Sequence, residues 1–117
     1  MSKTTTQLAT SVLQHLAVLD ATETIDSTDE TYVTGVYEDK WTELSSHGNE
    51  VTYWPMDVIP NAVFLALRDL IALYVRGAFG MPISERELRI EEDQCMRRLR
   101  RHTAVQSSDL PTETRNF

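Results

Sequence analysis

The chain has 117 residues, one domain's worth, and at this size roughly 65% of the unfolded surface can be buried. A core is therefore available, whereas a two-domain enzyme with an interdomain cleft is disfavoured. With 11 Lys+Arg against 18 Asp+Glu the net charge is −7, which argues against a globally basic nucleic-acid binder but leaves room for a local basic patch.

The composition is otherwise that of a soluble globular domain, 41% hydrophobic and 25% charged. Cys95 is the only cysteine, so no intrachain disulfide and no C-x-x-C site can form. The three histidines, His15, His47 and His102, are scattered, and no H-E-x-x-H, P-loop or G-x-S-x-G motif is present. No metal or cofactor site is expected. The most apolar stretch, Ala62 to Val75, is broken by Arg68 and Asp69 and falls short of the roughly 18 apolar residues that span a bilayer. Near the N-terminus, Gln14 and His15 interrupt the only candidate signal-peptide core. A protein made and kept in a reducing cytosol is the plain expectation.

The periodicity predicts four helices and an all-α fold, a small four-helix bundle. The first is predicted from about Thr6 to Leu19, capped by Thr5 or Thr6, with Leu8, Val12, Leu16 and Leu19 on one face. The second is predicted from about Thr28 to His47. Ser27 and Glu30 spell a capping box, Val33, Tyr37, Trp41 and Leu44 form an apolar stripe, and Gly48 suits a left-handed stop. Gly35, in the middle of this helix, costs up to ~1 kcal/mol and suggests a closely packed neighbouring backbone.

Residues Asn49 to Ile59 read as an extended loop anchored by Tyr53 and Trp54. The third helix is predicted from Pro60, at its first position, to about Ala78, stopped by Gly80 and Pro82. Val63, Phe64, Leu67, Leu70, Ile71, Tyr74 and Val75 make it apolar around most of its circumference, the mark of a central helix. The fourth is predicted from Glu85 to His102, with Ser84 and Glu87 as a capping box and Leu88, Cys95 and Leu99 as a thin seam, Ile90 and Met96 beside it. The expected organisation is a helical domain, 1–102, followed by a flexible C-terminal tail, 103–117. Leu110, Pro111 and Phe117 are apolar anchors in that tail.

Charge is segregated along the chain. Asp20 to Asp57 holds ten acids against the single base Lys40, whereas Arg97, Arg98, Arg100 and Arg101 stand within five positions. The acids read as a solvated face or as a surface that repels phosphate. The arginines either complement the helix dipole or contact a partner: an acidic protein, a phosphate backbone, or the acidic segment of a second copy. Catalysis is not expected. Glu91 and Glu92 are adjacent on a helix and diverge. Cys95 reads as a small buried hydrophobe, with His102 two turns away.

The stretch from Val36 to Pro82 runs V-Y-E-D-K-W-T-E-L, H-G, V-T-Y-W-P-M-D-V-I-P, then N-A-V-F-L-A-L-R-D-L-I-A-L-Y-V-R-G-A-F-G. This order resembles the head-to-tail adaptor proteins of tailed bacteriophages, in particular the tail accessory, or packaged-DNA-stabilising, factors of short-tailed phages. The opening T-x-x-x-L-A-x-x-V-L-x-x-L-x-V-L is similar to theirs. The resemblance covers most of residues 4–100, and the chain is short for that type.

The resemblance implies a structural adaptor in the virion at the head-tail junction, a dodecameric ring between the portal protein and a tail protein, lining the exit channel of double-stranded DNA. Leu110, Pro111 and Phe117 would dock on the portal. Arg97, Arg98, Arg100 and Arg101 would meet a neighbouring subunit or partner. Asp29, Glu30, Glu38 and Asp39 are the candidate channel-facing acids, since carboxylates do not hold passing phosphate. No enzyme activity and no membrane association are expected. The alternative is a small helical DNA-binding or regulatory protein that uses the arginines of its fourth helix.

Overall fold

The structure is a computed structural model and describes residues 2–20, 22–46 and 52–108, the last six as backbone. The elements are β1 (Ser2–Lys3), α1 (Thr5–His15), α2 (Ser27–Ser46), β2 (Ile59–Pro60), α3 (Asn61–Val75), a 3₁₀ turn (Arg76–Phe79) and α4 (Glu85–Ser108). The two short strands pair antiparallel, Ser2 opposite Pro60 and Lys3 opposite Ile59. They tie the N-terminus to the start of α3.

The mostly helical fold, four α-helices and two short strands among the described residues, agrees with the periodicity. α1, α2 and α3 pack on one another, whereas α4 packs extensively on α3 alone among the described helices. The central position of α3 follows from its composition. Val63, Phe64, Ala66, Leu67, Leu70, Ile71, Ala72, Leu73 and Val75 are all buried, so it offers apolar surface to α1 and α2 on one side and to α4 on the other. α1 contributes Leu8, Ala9, Val12 and Leu13. From α2 come Val33, Tyr37 and Leu44. Among the described side chains α4 adds only Cys95, Met96 and Leu99, and this thin seam keeps it at the edge.

The helix ends depart from expectation in instructive ways. α1 is capped by Thr4, one position earlier than predicted. Its Oγ1 accepts from the Gln7 N–H at 3.1 Å, and Gln7 Oε1 accepts from the Thr4 N–H at 2.8 Å, a reciprocal box. α1 stops at His15 instead of Leu19, because Ala17 adopts a left-handed φ of 62°. The Val18 N–H bonds the Leu13 carbonyl at 2.9 Å and the Ala17 N–H that of Gln14 at 3.0 Å. This is a Schellman stop built on alanine. At α2 the expected box gives way to Asp26, whose carboxylate accepts from the Thr28 N–H at 3.0 Å. Glu30 turns instead to α1, accepting from Thr6 Oγ1 at 2.7 Å. Among the described residues Gly35 has no neighbour within 4 Å of where a Cβ would stand, so no close backbone approach there explains the glycine.

Pro60 is the N-cap of α3 rather than its first helical residue, extended at φ −63° and ψ 144°. The 3₁₀ turn ends on Gly80 at φ 81°, a conformation natural for glycine. Arg76 and Met81 close the turn reciprocally: the Met81 N–H donates to the Arg76 carbonyl at 3.0 Å, and Arg76 Nε to the Met81 carbonyl at 2.7 Å. Ser84 caps α4 as predicted. Its Oγ accepts from the Glu87 N–H at 3.2 Å and donates to the Glu87 carboxylate at 3.1 Å.

α4 does not end at His102. It runs to Ser108, because Gly and Pro are absent between His102 and Pro111 and residues such as Ala104 and Gln106 propagate a helix. Two corrections follow. The expected boundary between domain and tail at Thr103 falls inside a helix. The arginines, moreover, lie mid-helix, with no basic residue in the last turn, so dipole complementation does not explain them.

Candidate functional site

The four arginines do not form one patch. Arg98 points inward, and its Nη1 donates to Asp69 Oδ2 on α3 at 2.6 Å. Asp69 also accepts from Arg68, at 3.1 and 2.9 Å from Nε and Nη2, and His15 Nε2 lies 3.7 Å from it. Burial works to raise the Asp69 pKa, but the hydrogen bonds from Arg98 and Arg68 outweigh it and hold the carboxyl below its ordinary value. Arg97 is exposed and pairs with Asp93 one turn back, at 2.8 Å. Arg100 and Arg101 are exposed and have no ion-pair partner among the described residues.

Beside Asp69 lies a cavity of about 290 Å³ bordered by His15, Arg76, Glu91, Gln94, Cys95 and Arg98. Cys95 is its one nucleophilic group. Burial and the nearby Asp69 charge push its thiol up to about 11, so almost no thiolate exists near neutrality. Groups of three or more His, Cys, Asp or Glu fit to hold a metal ion are absent among the described residues.

A second polar cluster joins α2, α3 and α4. Lys40 Nζ donates to Glu43 at 3.2 Å, to Tyr74 Oη at 3.2 Å and to Glu92 at 3.4 Å. The Tyr74 hydroxyl donates to Glu92, and the Lys40 ammonium stands 4.6 Å from the centre of the Tyr74 ring. Burial works to lower the Lys40 pKa, yet its contacts with Tyr74 and Glu43 prevail and raise it. The Tyr74 pKa is raised too, by burial and then by its bond to Glu92. Both groups are held in their ordinary protonation states, so the cluster is a clamp rather than a proton-transfer pair.

The aromatic loop is fastened from within. Tyr37 Oη donates to the Met56 carbonyl at 2.5 Å and accepts from Trp54 Nε1 at 3.2 Å. Trp54 is buried and meets Tyr53 edge-on at 5.3 Å. By contrast, Trp41 Nε1 is buried with no hydrogen-bond partner among the described residues.

The candidate channel acids divide into two pairs. At about 100° per residue, Asp29 and Glu38 point to opposite sides of α2. Asp29 and Glu30 are half-buried, and Glu38 and Asp39 are exposed. No single surface takes all four. The expected portal-docking residues Leu110, Pro111 and Phe117 lie outside the described residues.

Sequence reasoning missed Asp69, Tyr74 and Glu92 as polar partners, and Ile90 as an exposed residue. The signal for Asp69 was available: a charged pair inside an otherwise apolar helix must find partners. Among the described residues, no helix is long and apolar enough to cross a membrane. No family model, no curated protein and no solved structure matches this chain.

Proposed function

We propose that this chain is a structural head-to-tail adaptor of a tailed-phage virion, a ring subunit that grips the portal protein on one side and a tail protein on the other. The order of elements between Val36 and Pro82 gives the reading its family. The observation that carries it is the reach of α4: among the residues whose side chains are described its last buried one is Leu99, and the helix backbone continues to Ser108. An isolated helical extension is marginal in water and gains stability by packing on something else. The elongated outline, 53 × 33 × 23 Å, fits a subunit with a reaching element. In this reading α4 delivers Leu110, Pro111 and Phe117 to the portal, and the chain performs no catalysis. The inert thiol of Cys95 and the raised pKa values of Lys40 and Tyr74, which keep both protonated, support a scaffold.

The alternative, duplex binding through α4, is less favoured because Asp69 holds Arg98. That leaves Arg97, itself in an exposed pair with Asp93, and Arg100 and Arg101 for phosphate, few for a chain of net charge −7. Electron microscopy of the chain mixed with its cognate portal tests the proposal. A ring of added density on the portal is the expected result, and bare portals at saturating adaptor would refute it.

A further inference from the structure

We infer that the outer stripe of α4 docks on the outer stripe of α2 in a second copy of this chain, a heterologous contact of parallel helices with Ile90 against Tyr32, Arg97 against Asp39 and Arg101 against Glu43. On α2, Tyr32, Val36, Asp39 and Glu43 fall within about 60° of one another at 3.6 residues per turn. Tyr32 is 41% exposed, Asp39 and Glu43 are exposed, and Val36 is half-buried. On α4, Ile90, Arg97 and Arg101 share one face by the same geometry. Ile90 is 50% exposed, and Arg97 and Arg101 are exposed.

The two stripes match in spacing and in chemistry. An apolar residue is followed by a charged one seven positions on and by another eleven positions on, in both helices. The charges are opposite, carboxylates on α2 and guanidiniums on α4. Laid side by side in parallel, the apolar pair meets at one end and two ion pairs form about 10 and about 16 Å along the axis, from the rise of 1.5 Å per residue. Between Asp39 and Glu43 on α2 lies a recess of about 250 Å³ lined also by Val36, Tyr74 and Lys40; Lys40 already donates to Glu43 at 3.2 Å, so an arginine entering there pairs with Asp39 and shares the Glu43 carboxylate with Lys40. Tyr32 is braced for this by the edge of Phe79, ring centres 6.1 Å apart.

The two stripes differ, so each copy offers one and receives the other. Such contacts propagate, and they close when the rotation permits. The contact deepens the ring reading above and rests on it for its biological setting, but its test needs no portal, so failure of one does not disguise failure of the other.

Sedimentation velocity of the full chain over a concentration series at low salt reads the contact. The chain is expected to self-associate, and association should weaken as salt rises from about 0.01 to about 1 M, where the screening length falls from about 30 to about 3 Å. D39K/E43K alone and R97E/R101E alone are each expected to weaken association by about tenfold or more, since like charges then face each other. An equimolar mixture of the two variants is expected to recover it, because each arm then meets an opposite stripe. I90S, at a half-exposed position, should weaken association with an unchanged circular dichroism spectrum.

A chain that stays monomeric at every concentration at low salt overturns the inference. So do charge variants that associate like the parent, or a mixture that fails to recover. Duplex DNA retarded by the parent and not by R97E/R101E, with no self-association, would assign the arginines to phosphate and likewise overturn it.

Discussion

Arg98 Nη1 donates to Asp69 Oδ2 across 2.6 Å, a bond that joins the middle of α4 to the middle of α3. Because the described side chains of α4 bury only a thin apolar seam, this bond and the contacts of Glu92 with Lys40, at 3.4 Å, and with Tyr74 restrain its rotation about its own axis. An apolar seam of Cys95, Met96 and Leu99 resists withdrawal of α4 but tolerates a small roll. The polar clamps on either side of the seam do not.

Arg98→Ala should therefore destabilise the fold by about 1 kcal/mol, less than a fully buried charged hydrogen bond because water reaches the guanidinium. A double-mutant cycle with Asp69→Asn, read by denaturant unfolding, should give a coupling of the same order. The pH dependence has a definite sign. Asp69 has its folded pKa held below its unfolded value, so its contribution is present above about pH 4 and is lost as pH falls through the folded pKa. The stability gap between the parent and Asp69→Asn should close on acidification. A gap that widened would refute the assignment.

Ala17→Gly should stabilise the protein. Ala17 sits at φ 62°, where a Cβ crowds the following carbonyl at a cost of about 1–2 kcal/mol. Glycine removes that crowding and forfeits part of the gain to its greater unfolded-state freedom, leaving a net of about 0.5–1 kcal/mol. The Schellman bonds from Ala17 and Val18 remain available to it. A rise in the midpoint of thermal unfolding checks this.

Gly35→Ala should also stabilise, for the opposite reason. Gly35 lies within α2, and a Cβ there meets nothing within 4 Å. Alanine then gains helix propensity with no clash, about 0.5–1 kcal/mol. Chemical denaturation of parent and variant side by side checks this. A lower midpoint for Gly35→Ala would mean that the backbone around Gly35 is packed more closely than the open space beside it allows.

Much of the interior was legible in the sequence, and the reason is periodicity. Leu8, Val12, Val33, Tyr37 and Leu44 announce their burial by recurring every third or fourth residue, and α3 announces its centrality by being apolar all round. Helix ends were less legible. The stop of α1 is an alanine in a glycine's conformation, with no residue-type signal. The end of α4 lies beyond the run of arginines, which reads as a helix terminus in sequence. The candidate interaction surface was half legible. Opposite charge on separate segments could be read directly, but Arg98 takes its partner from another helix, and only the three-dimensional fold shows that it is spent internally while Arg97 and Arg101 face out. The matched stripes of α2 and α4 become visible once the outward faces are known.

Tyr37→Phe should cost about 1–3 kcal/mol, more than its single lost oxygen suggests. The hydroxyl serves two groups at once, the part-buried Met56 carbonyl at 2.5 Å and the buried Trp54 Nε1 at 3.2 Å, and phenylalanine removes the partner of both. Loosening should begin in the loop that Trp54 anchors, so amide exchange around residues 52–58 should accelerate before exchange in α3 does. The alkaline limb of stability carries the same residue's signature. Burial is the main cause that pushes the Tyr37 hydroxyl from 10.0 to about 12. A folded pKa above the unfolded one means that its contribution is intact below pH 10.0 and is lost as pH rises from there through about 12. Tyr37→Phe cannot ionise at this position. The stability difference between parent and variant should therefore shrink over that window, and equal alkaline slopes for the two proteins would show that the hydroxyl ionises as freely when folded as when unfolded.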